Sequence, residues 1–399
     1  MHFFNNLTTG TRRAEPKYWL VYVLAILVNL QAFMVVYSNS TYLETFTTPE
    51  VVGLLYTVGS AISIFVFLFI SRILRKVGNT LFTVGIAAVL LASLLVMGLS
   101  DSAALIITFF VVYLITSPLL YMSLDVFSEA LIGNNEGSTG SKRGLTLSLM
   151  SLAAASGPLI VALIVGDSEA NLTRTYLAAS MFGVIFIALT LIYFQSFTDP
   201  KYKEIRVMDT LQMFFAHHNL RNAFLTHLAL QIFFSWAVIY IPLYLFNEIG
   251  LSWEQLGLIF GIGLFAYVLF EWPIGYLADK YFGEKEMMAL GFLILIVSTS
   301  WIAFLTTASI VAWALLMFIN RTGAALVEVT TESYFFKHTD GTDASLISFF
   351  RLTRPLGMVI GSLIGSAALL YVSFDFVFII FAVALIPAML LTATLQDTK

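Results

Sequence analysis

The sequence predicts an all-α membrane protein in which twelve transmembrane helices form two pseudo-symmetric six-helix bundles. Three observations support this prediction. Hydrophobic residues make up 59% of the 399 residues and charged residues only 11%, whereas a soluble domain carries about 25% charged residues. Apolar stretches of about 20 residues, the length that crosses a bilayer, recur along the whole chain. The two halves also repeat short patterns in the same order.

The predicted spans are separated by short polar breaks and lie at residues 18–40, 51–71, 79–99, 103–128, 144–166, 174–196, 222–246, 254–276, 287–306, 309–333, 344–370 and 374–395. Residues 1–196 are predicted to form the N-terminal bundle and residues 221–399 the C-terminal bundle. The linker at 197–220 contains EIRVMDTLQMFFAHH, a pattern typical of a short amphipathic helix at the membrane interface.

Lysine and arginine residues concentrate at the two termini, in the linker and in the other even-numbered loops. Cytoplasmic loops retain positive charge during insertion. Both termini are therefore predicted to lie in the cytoplasm, with the chain spanning the inner or plasma membrane of the cell.

An internal repeat relates the two halves. It pairs three sets of residues: TPEVVGLLYTVG (48–59) with SWEQLGLIFGIG (252–263), SLAAASGPLIVAL (151–163) with RLTRPLGMVIGSL (351–363), and the acidic pair Asp125 and Glu129 with Glu328 and Glu332. Two parallel copies of one bundle are the arrangement that a transporter needs if its halves rock about a central site.

The loop after span 8 reads GYLADKYFGEK, with Gly275, Asp279, Lys280 and Gly283 in a spaced pattern. This pattern resembles the loop signature of the major facilitator superfamily, and the resemblance implies the fold of those transporters. We expect Gly275 to let a neighbouring helix approach closely. We expect Asp279 to face a helix N-terminus, where the dipole favours negative charge.

The equivalent loop after span 2 departs from the signature, because Arg75 stands in the place of the aspartate. This difference suggests a gate with swapped polarity. We expect Asp279 to meet Lys142, Arg143 and the start of span 5, while Arg75 and Lys76 meet Asp340 and Asp343 before span 11.

Span 5 offers a second resemblance, to the glycine-proline signature of proton-driven antiporters that export drugs in the same superfamily. Gly144, Gly157 and Pro158 match that signature, whereas Ala153 replaces one of its glycines. The resemblance implies a kinked and tightly packed helix, and it favours export over import. Glu129 and the Arg143-Gly144 pair also resemble the acidic end of helix 4 and the following loop of that superfamily.

Ionisable residues inside spans are costly and therefore face cavities or partners. Arg321 lies near the middle of span 10, and Glu328 follows two turns later on the same face. Arg351 and Arg354 enter span 11 at a similar depth, which predicts a cluster with Glu328 and Glu332. Such pairs either lock the inward gate or contact substrate.

Three further carboxylates are candidates for carrying protons. Asp125 and Glu129 form the acidic pair of span 4 without arginines in span 5. Glu271 lies one turn before Gly275 on span 8. An unpaired carboxylate in an apolar place favours its protonated form, so we expect these groups to take part in proton coupling.

Polar and aromatic residues of spans 1, 4, 7 and 10 are expected to line the cavity if the family architecture holds. They are Asn29, Gln31, Tyr37, Tyr121, Gln231, Trp236, Tyr240 and Asn320. Each of them also suits an interhelical hydrogen bond or an interface anchor. His227, near the start of span 7, is expected at the membrane interface.

The predicted function is secondary active transport of a small organic solute by alternating access, coupled to protons, with efflux favoured. A nutrient uptake symporter or uniporter for sugars or organic acids, and a transport-inactive receptor or scaffold, are the alternatives. No nucleophile elbow, phosphate-binding loop or His-Glu-x-x-His motif is present, so an enzyme is not expected. We expect no cofactor, no metal and no nucleic-acid partner, and we expect a monomer in the lipid bilayer.

Overall fold

The computed structural model describes residues 17–132, 136–166, 171–202, 207–338 and 349–396. Within these ranges the chain forms twelve long apolar helices: α1 Trp19–Val35, α2 Pro49–Val77, α3 Asn79–Leu99, α4 Ala103–Ile132, α5 Glu136–Val165, α6 Leu172–Tyr193, α7 His218–Asn247, α8 Trp253–Leu277, α9 Glu284–Ile302, α10 Ile310–Lys337, α11 Thr353–Leu369 and α12 Phe374–Thr392. Two short helices accompany them, the far-side helix Asn39–Glu44 and the linker helix Val207–Ala216. The predicted all-α membrane fold is confirmed.

Eleven of the described helical segments are long and apolar enough to cross a membrane, with α11 counted from Phe349, and α1 is shorter, at 17 residues. The prediction placed one unbroken span at 18–40, whereas the chain turns at 36–38 before the far-side helix begins. Ser38 donates to the carbonyl of Val35 at 3.1 Å. This bond lies at the end of α1, inside the break at 36–38.

Two faces of the molecule are distinguished by what they carry. The linker side holds the α2–α3 and α8–α9 turns and the linker helix. The far side holds the far-side helix and the α7–α8 turn, because successive membrane helices run in opposite directions. Contacts between the halves follow a reciprocal pattern, in which α2 packs on α11 and α8 packs on α5.

The reciprocal packing depends on glycines that the internal repeat placed at equivalent positions. A Cβ atom at Gly53 of α2 would lie 3.2 Å from the carbonyl oxygen of Ser362 on α11. A Cβ atom at Gly257 of α8 would lie 2.6 Å from the Cβ atom of Ala162 on α5. Each glycine therefore allows two helices from opposite halves to approach more closely than a side chain permits.

The two linker-side turns share one geometry. Gly78, before α3, has φ 80°, and Gly283, before α9, has φ 83°, a conformation that glycine adopts without steric cost. The linker contacts the first of these turns, since the backbone N–H of Asn79 donates to the Asp199 carboxylate at 2.8 Å. A carboxylate at a helix N-terminus is stabilised by the dipole and by the free N–H groups.

Candidate functional site

Hydrogen bonds join the two halves at the far side. Both Glu44 carboxylate oxygens accept from the Asn247 side-chain amide at 2.7 Å. One turn deeper, the Thr57 and Ser362 hydroxyl oxygens lie 2.7 Å apart. Ser366 donates to the carbonyl of Glu50 at 2.9 Å. The far side is therefore closed by contacts between residues of opposite halves.

Aromatic side chains extend this closure toward the middle of the molecule. Tyr37 of α1 stacks on Phe260 of α8, with ring centroids 4.5 Å apart. Tyr240 of α7 donates to the carbonyl of Ser362 at 2.7 Å, and its hydroxyl approaches Gly53 of the other half. Tyr37 and Tyr240, predicted to line a cavity, thus lie at the junction of the two halves in this conformation.

The α5–α8 seam runs from the far side toward the linker side. Gly261 continues it below Gly257, because a Cβ atom there would lie 2.5 Å from Leu159. At its linker-side part, the Ser151 hydroxyl lies 2.9 and 3.0 Å from the two carboxylate oxygens of Glu271. Glu271 is half-buried, and this serine belongs to the opposite half.

The structure brings together the four charged residues that were expected to cluster on α10 and α11. Arg351 lies 3.7 Å from Glu332. Arg354 lies 3.9 Å from Glu328 and 4.0 Å from Glu332. The arginine side chains are 38% and 45% exposed, so water reaches the cluster from the linker side.

Acidic residues of α4 face this cluster across a gap that we call the linker-side cleft. Asp125 and Glu129 are exposed, and Asp125 is the strongest of the charges that act on Arg351. Within the part of the chain that the structure describes, no ion pair within 4.0 Å joins Asp125 to Arg351. Asp125 and Arg351 thus do not pair directly here, whereas residues of opposite halves bond at the far side.

Arg321 lies deeper in the same half and is 2% exposed. Its Nη1 donates to the side-chain oxygen of Asn320 at 3.1 Å, and its guanidinium lies 5.7 Å from the Phe233 ring centroid. Asn320 in turn donates to Ser298 of α9 at 2.9 Å. Asn320 therefore positions Arg321 against α9 and does not itself face the cleft.

Among the other expected cavity residues, some pair with each other and some are packed within one half. Tyr121 donates to Asn29 at 3.4 Å, which joins α4 to α1. By contrast, Gln31 points at Gly183 of α6. Trp236 stacks on an α12 ring and donates to the Gly361 carbonyl at 2.9 Å. The expectation that Gln31 and Trp236 line the cavity is therefore wrong for this conformation.

His227 is buried among the helices of the second half. It is 1% exposed, and its ring contacts the Thr353 hydroxyl at 2.7 Å and the Gln231 amide at 3.2 Å. The ring stacks on Phe350 with centroids 4.4 Å apart. The histidine and Gln231 thus link α7 to α11 within the second half.

The loop signature after α8 is only partly explained by packing. A Cβ atom at Gly275 would meet its nearest neighbour, Val329, at 3.7 Å, which is ordinary contact, so the expected close approach at Gly275 is wrong. Lys280 donates to the Tyr276 hydroxyl at 2.8 Å. The side chains of Asp279, Arg143 and Lys142, and residues Asp340 and Asp343, lie outside the described residues.

Arg75 and Lys76 line a cavity on the linker side together with the start of the linker. The cavity has a volume of about 540 Å³ and includes Asp199, Lys201 and Tyr202. Tyr202 donates to Asp199. The pKa of the tyrosine hydroxyl is raised, mainly by burial and next by the Asp199 carboxylate. The basic residues of this loop therefore contact the linker.

Glu284 is a linker-side residue that the sequence analysis did not single out. It is 1% exposed, opens α9 directly after Gly283, and pairs with Lys337 and with Ser333, both on α10. An acidic residue in the first turn of a helix is a sequence signal for this arrangement. The pair fixes α9 to α10.

Comparisons with known proteins support one family. Residues 222–398 match the family model described as Major Facilitator Superfamily. The chain has the fold of solved transporters, and the similarity covers 94% of its length. The C-terminal half of the chain is therefore similar to the major facilitator superfamily.

Three solved structures are similar to the chain in fold. A mutant form of the nucleoside transporter NupG gives a TM-score of 0.75 at 13% identity, covering 94% of this chain and 99% of NupG. Structures of a POT family transporter in complex with a thioalcohol-conjugated peptide and with 5-aminolevulinic acid each give 0.75, at 12% and 13% identity, covering 95% of that chain. No curated protein sequence matches the chain.

Proposed function

We propose that the chain is a secondary transporter that moves a small organic solute by alternating access, coupled to protons. The observation that carries the proposal is the asymmetry of its two faces. Contacts such as that of Glu44 with Asn247 hold the halves together at the far side. At the linker side, Asp125 and Arg351 do not form an ion pair and are solvent-accessible. A transporter closed on one side and open on the other has this form.

Orientation and domain division complete the proposal. The lysines and arginines on the linker side support a cytoplasmic location for that side. The proposed bundles are residues 1–196 and 221–399, joined by the linker. In this orientation the conformation described here is open to the cytoplasm. The resemblance of α5 to the proton-driven exporters favours efflux.

Glu271 is the residue proposed to carry the coupling proton. Its carboxylate is half-buried in the α5–α8 seam, where Ser151 of the other half donates to it. Within the described ranges no cation lies within 4.0 Å of Glu271, and Glu328 and Glu332 are its charged neighbours. The hydrogen-bond partner of Glu271 among the described residues is thus a hydroxyl of the opposite half. Opening of the seam would remove the serine and expose the carboxylate to water, which favours release of the proton.

The test is transport by protein reconstituted in liposomes, with an imposed pH gradient and a panel of fluorescent lipophilic cations, sugars and amino acids. We expect one class of solute to move against its gradient in the wild-type protein. Glu271→Gln is expected to lose the dependence on the pH gradient while it keeps exchange of solute at equal concentrations. The matched control is Glu286→Gln on α9, an exposed glutamate outside the seam.

Two outcomes would contradict this reasoning. Wild-type protein that moves no solute under either gradient polarity would favour the receptor or scaffold alternative. Transport by Glu271→Gln with an unchanged response to the pH gradient would remove Glu271 from the coupling mechanism, whichever solute is carried.

A further inference from the structure

A positive charge is buried in the middle of the second half. Arg321 lies eleven residues into α10, which is about 16 Å from its far-side end, and it is 2% exposed. Burying an ion without a partner costs several kcal/mol, so an arginine at such a place is normally paired with a carboxylate. The partners of Arg321 therefore decide what this residue does.

No carboxylate of the described residues pairs with Arg321 within 4.0 Å. Its Nη1 donates to the neutral Asn320, and its Nη2 has no hydrogen-bond partner although it is buried. Glu328, on the same face of α10, lies seven residues further on, about 10 Å along the axis. That carboxylate is already within 3.9 Å of Arg354.

A second donor beside Arg321 also lacks a partner. The hydroxyl of Tyr267, on α8, is buried and makes no hydrogen bond among the described residues. Arg321 is among the charges that act on this tyrosine, together with Glu328 and Glu271. A guanidinium N–H and a phenol O–H that both lack an acceptor indicate a place for a ligand with acceptor oxygens.

We propose that Arg321 and Tyr267 bind the carboxylate of a monoanionic organic solute. A carboxylate accepts from both donors and neutralises the buried guanidinium through charge-assisted hydrogen bonds. A single buried guanidinium balances a single negative charge, which favours a monoanion over a dianion. The Phe233 ring beside the guanidinium provides an apolar surface for the rest of the molecule.

The exposed cluster on α11 provides the approach to this site. Arg351 and Arg354 line the linker-side cleft two to three turns below Arg321, so an anion entering from that side meets positive charge before it reaches the buried guanidinium. The site is closed to water in the present conformation, because Arg321 and Tyr267 are both buried. A bound carboxylate would therefore be occluded.

The identification of this ligand as the transported solute rests on the proposed function, but its binding does not. Binding is measured on the purified full-length protein in detergent by the shift of its unfolding temperature. The probes are benzoate and acetate, and each is compared with its neutral amide, benzamide or acetamide, which has nearly the same shape.

We expect the carboxylates to raise the unfolding temperature of the wild-type protein and the amides to leave it unchanged. Arg321→Gln is expected to weaken carboxylate binding about 10- to 100-fold, and Tyr267→Phe about 2- to 10-fold, as for loss of a charged and a neutral hydrogen bond. Arg321→Lys should retain part of the affinity. Arg174→Gln, at an exposed arginine on α6 of the other half, serves as the control and should leave equilibrium binding within about twofold.

The unfolding temperature without ligand separates a binding role from a structural one. If Arg321 is poised for an absent anion, Arg321→Gln should be at least as stable as the wild-type protein, because it removes an uncompensated buried charge. Equal shifts by carboxylates and amides, no shift by either carboxylate, or a clear loss of stability in Arg321→Gln would each overturn the proposal. Carboxylate binding without transport would instead refute the proposed function, and transport of an uncharged solute without carboxylate binding would refute only this site.

Discussion

The α2–α11 seam leads to a prediction that follows directly from its geometry. In Gly53→Ala, the new Cβ atom would lie 2.0 Å from the Ser366 Oγ and 2.4 Å from the Tyr240 hydroxyl. It would also lie 3.2 Å from the backbone carbonyl of Ser362, which already accepts a hydrogen bond from Tyr240. The methyl group therefore cannot be accommodated while the far side stays closed.

The size of the effect follows from the cost of overpacking a close contact, which is about 1–3 kcal/mol. This cost falls on the conformation in which α2 and α11 touch at the far side, and it is relieved when they separate. A difference of this size lowers the ratio of far-side-closed to far-side-open protein by about 5- to 150-fold. A mostly closed population would thus become mixed or mostly open.

The assay is a distance measurement between two spin labels, one on each half. The sequence contains no cysteine, so Leu99→Cys at the end of α3 and Tyr371→Cys after α11 can be labelled specifically. Both positions lie at the far side and are 69% and 86% exposed. We expect Gly53→Ala to increase the long-distance fraction. Gly85→Ala on α3 is the matched control, since a Cβ atom there would meet nothing within 4 Å.

The reasoning fails if Gly53→Ala and Gly85→Ala give the same distance distribution as the unsubstituted background. Monodispersity in size-exclusion chromatography establishes that each labelled variant is folded. A shift toward shorter far-side distances would also contradict it, because the added methyl group would then stabilise closure.

Two other predictions concern the far side. The native hydroxyl oxygens of Thr57 and Ser362 are 2.7 Å apart. In the double variant Thr57→Cys and Ser362→Cys, oxidation should form a disulfide that stops transport, and a reductant should restore transport. A crosslinked protein that still transports would show that this seam need not open. Glu44, past the end of the first span, has its pKa raised by burial and then by Glu50 and Glu248, against the effect of its hydrogen bond. Protonated Glu44 should therefore stabilise the closed far side below the ordinary glutamate pKa, and this stabilisation should be lost as the pH rises through the raised pKa. The distance between the far-side labels measures the effect. Glu44→Gln should respond less to pH, and an equal response would refute the assignment.

The helices were predictable because hydrophobic length and positive charge are local properties of the sequence. The cluster of Glu328, Glu332, Arg351 and Arg354 was predictable for a similar reason, since depth along a helix follows from residue number at 1.5 Å per residue. Rotation of a side chain about its helix was not predictable to the same extent. Gln31, for example, faces Gly183 and not the cleft, because tertiary packing decides which face is turned inward.

Contacts between the halves required the structure. Ser151 carries no sequence signal that it meets Glu271, because that contact depends on the register of α5 against α8. The break in the first span at 36–38 is likewise visible only in the structure. Gly53 and Gly257 were recognised as equivalent, but only their neighbours show that both are points of close approach between the halves.

The position of Arg351 bears on how easily the molecule changes shape. Its guanidinium is 3.7 Å from Glu332 of its own half, while Asp125 of the other half already attracts it from a distance. If the linker side closes, we expect the guanidinium to leave Glu332 and pair with Asp125. The number of paired charges then stays nearly constant through the cycle. This exchange of partners keeps the free energies of the two end states close. Ionic strength then changes the balance between them, because exposed charges are screened over about 8–10 Å in physiological salt.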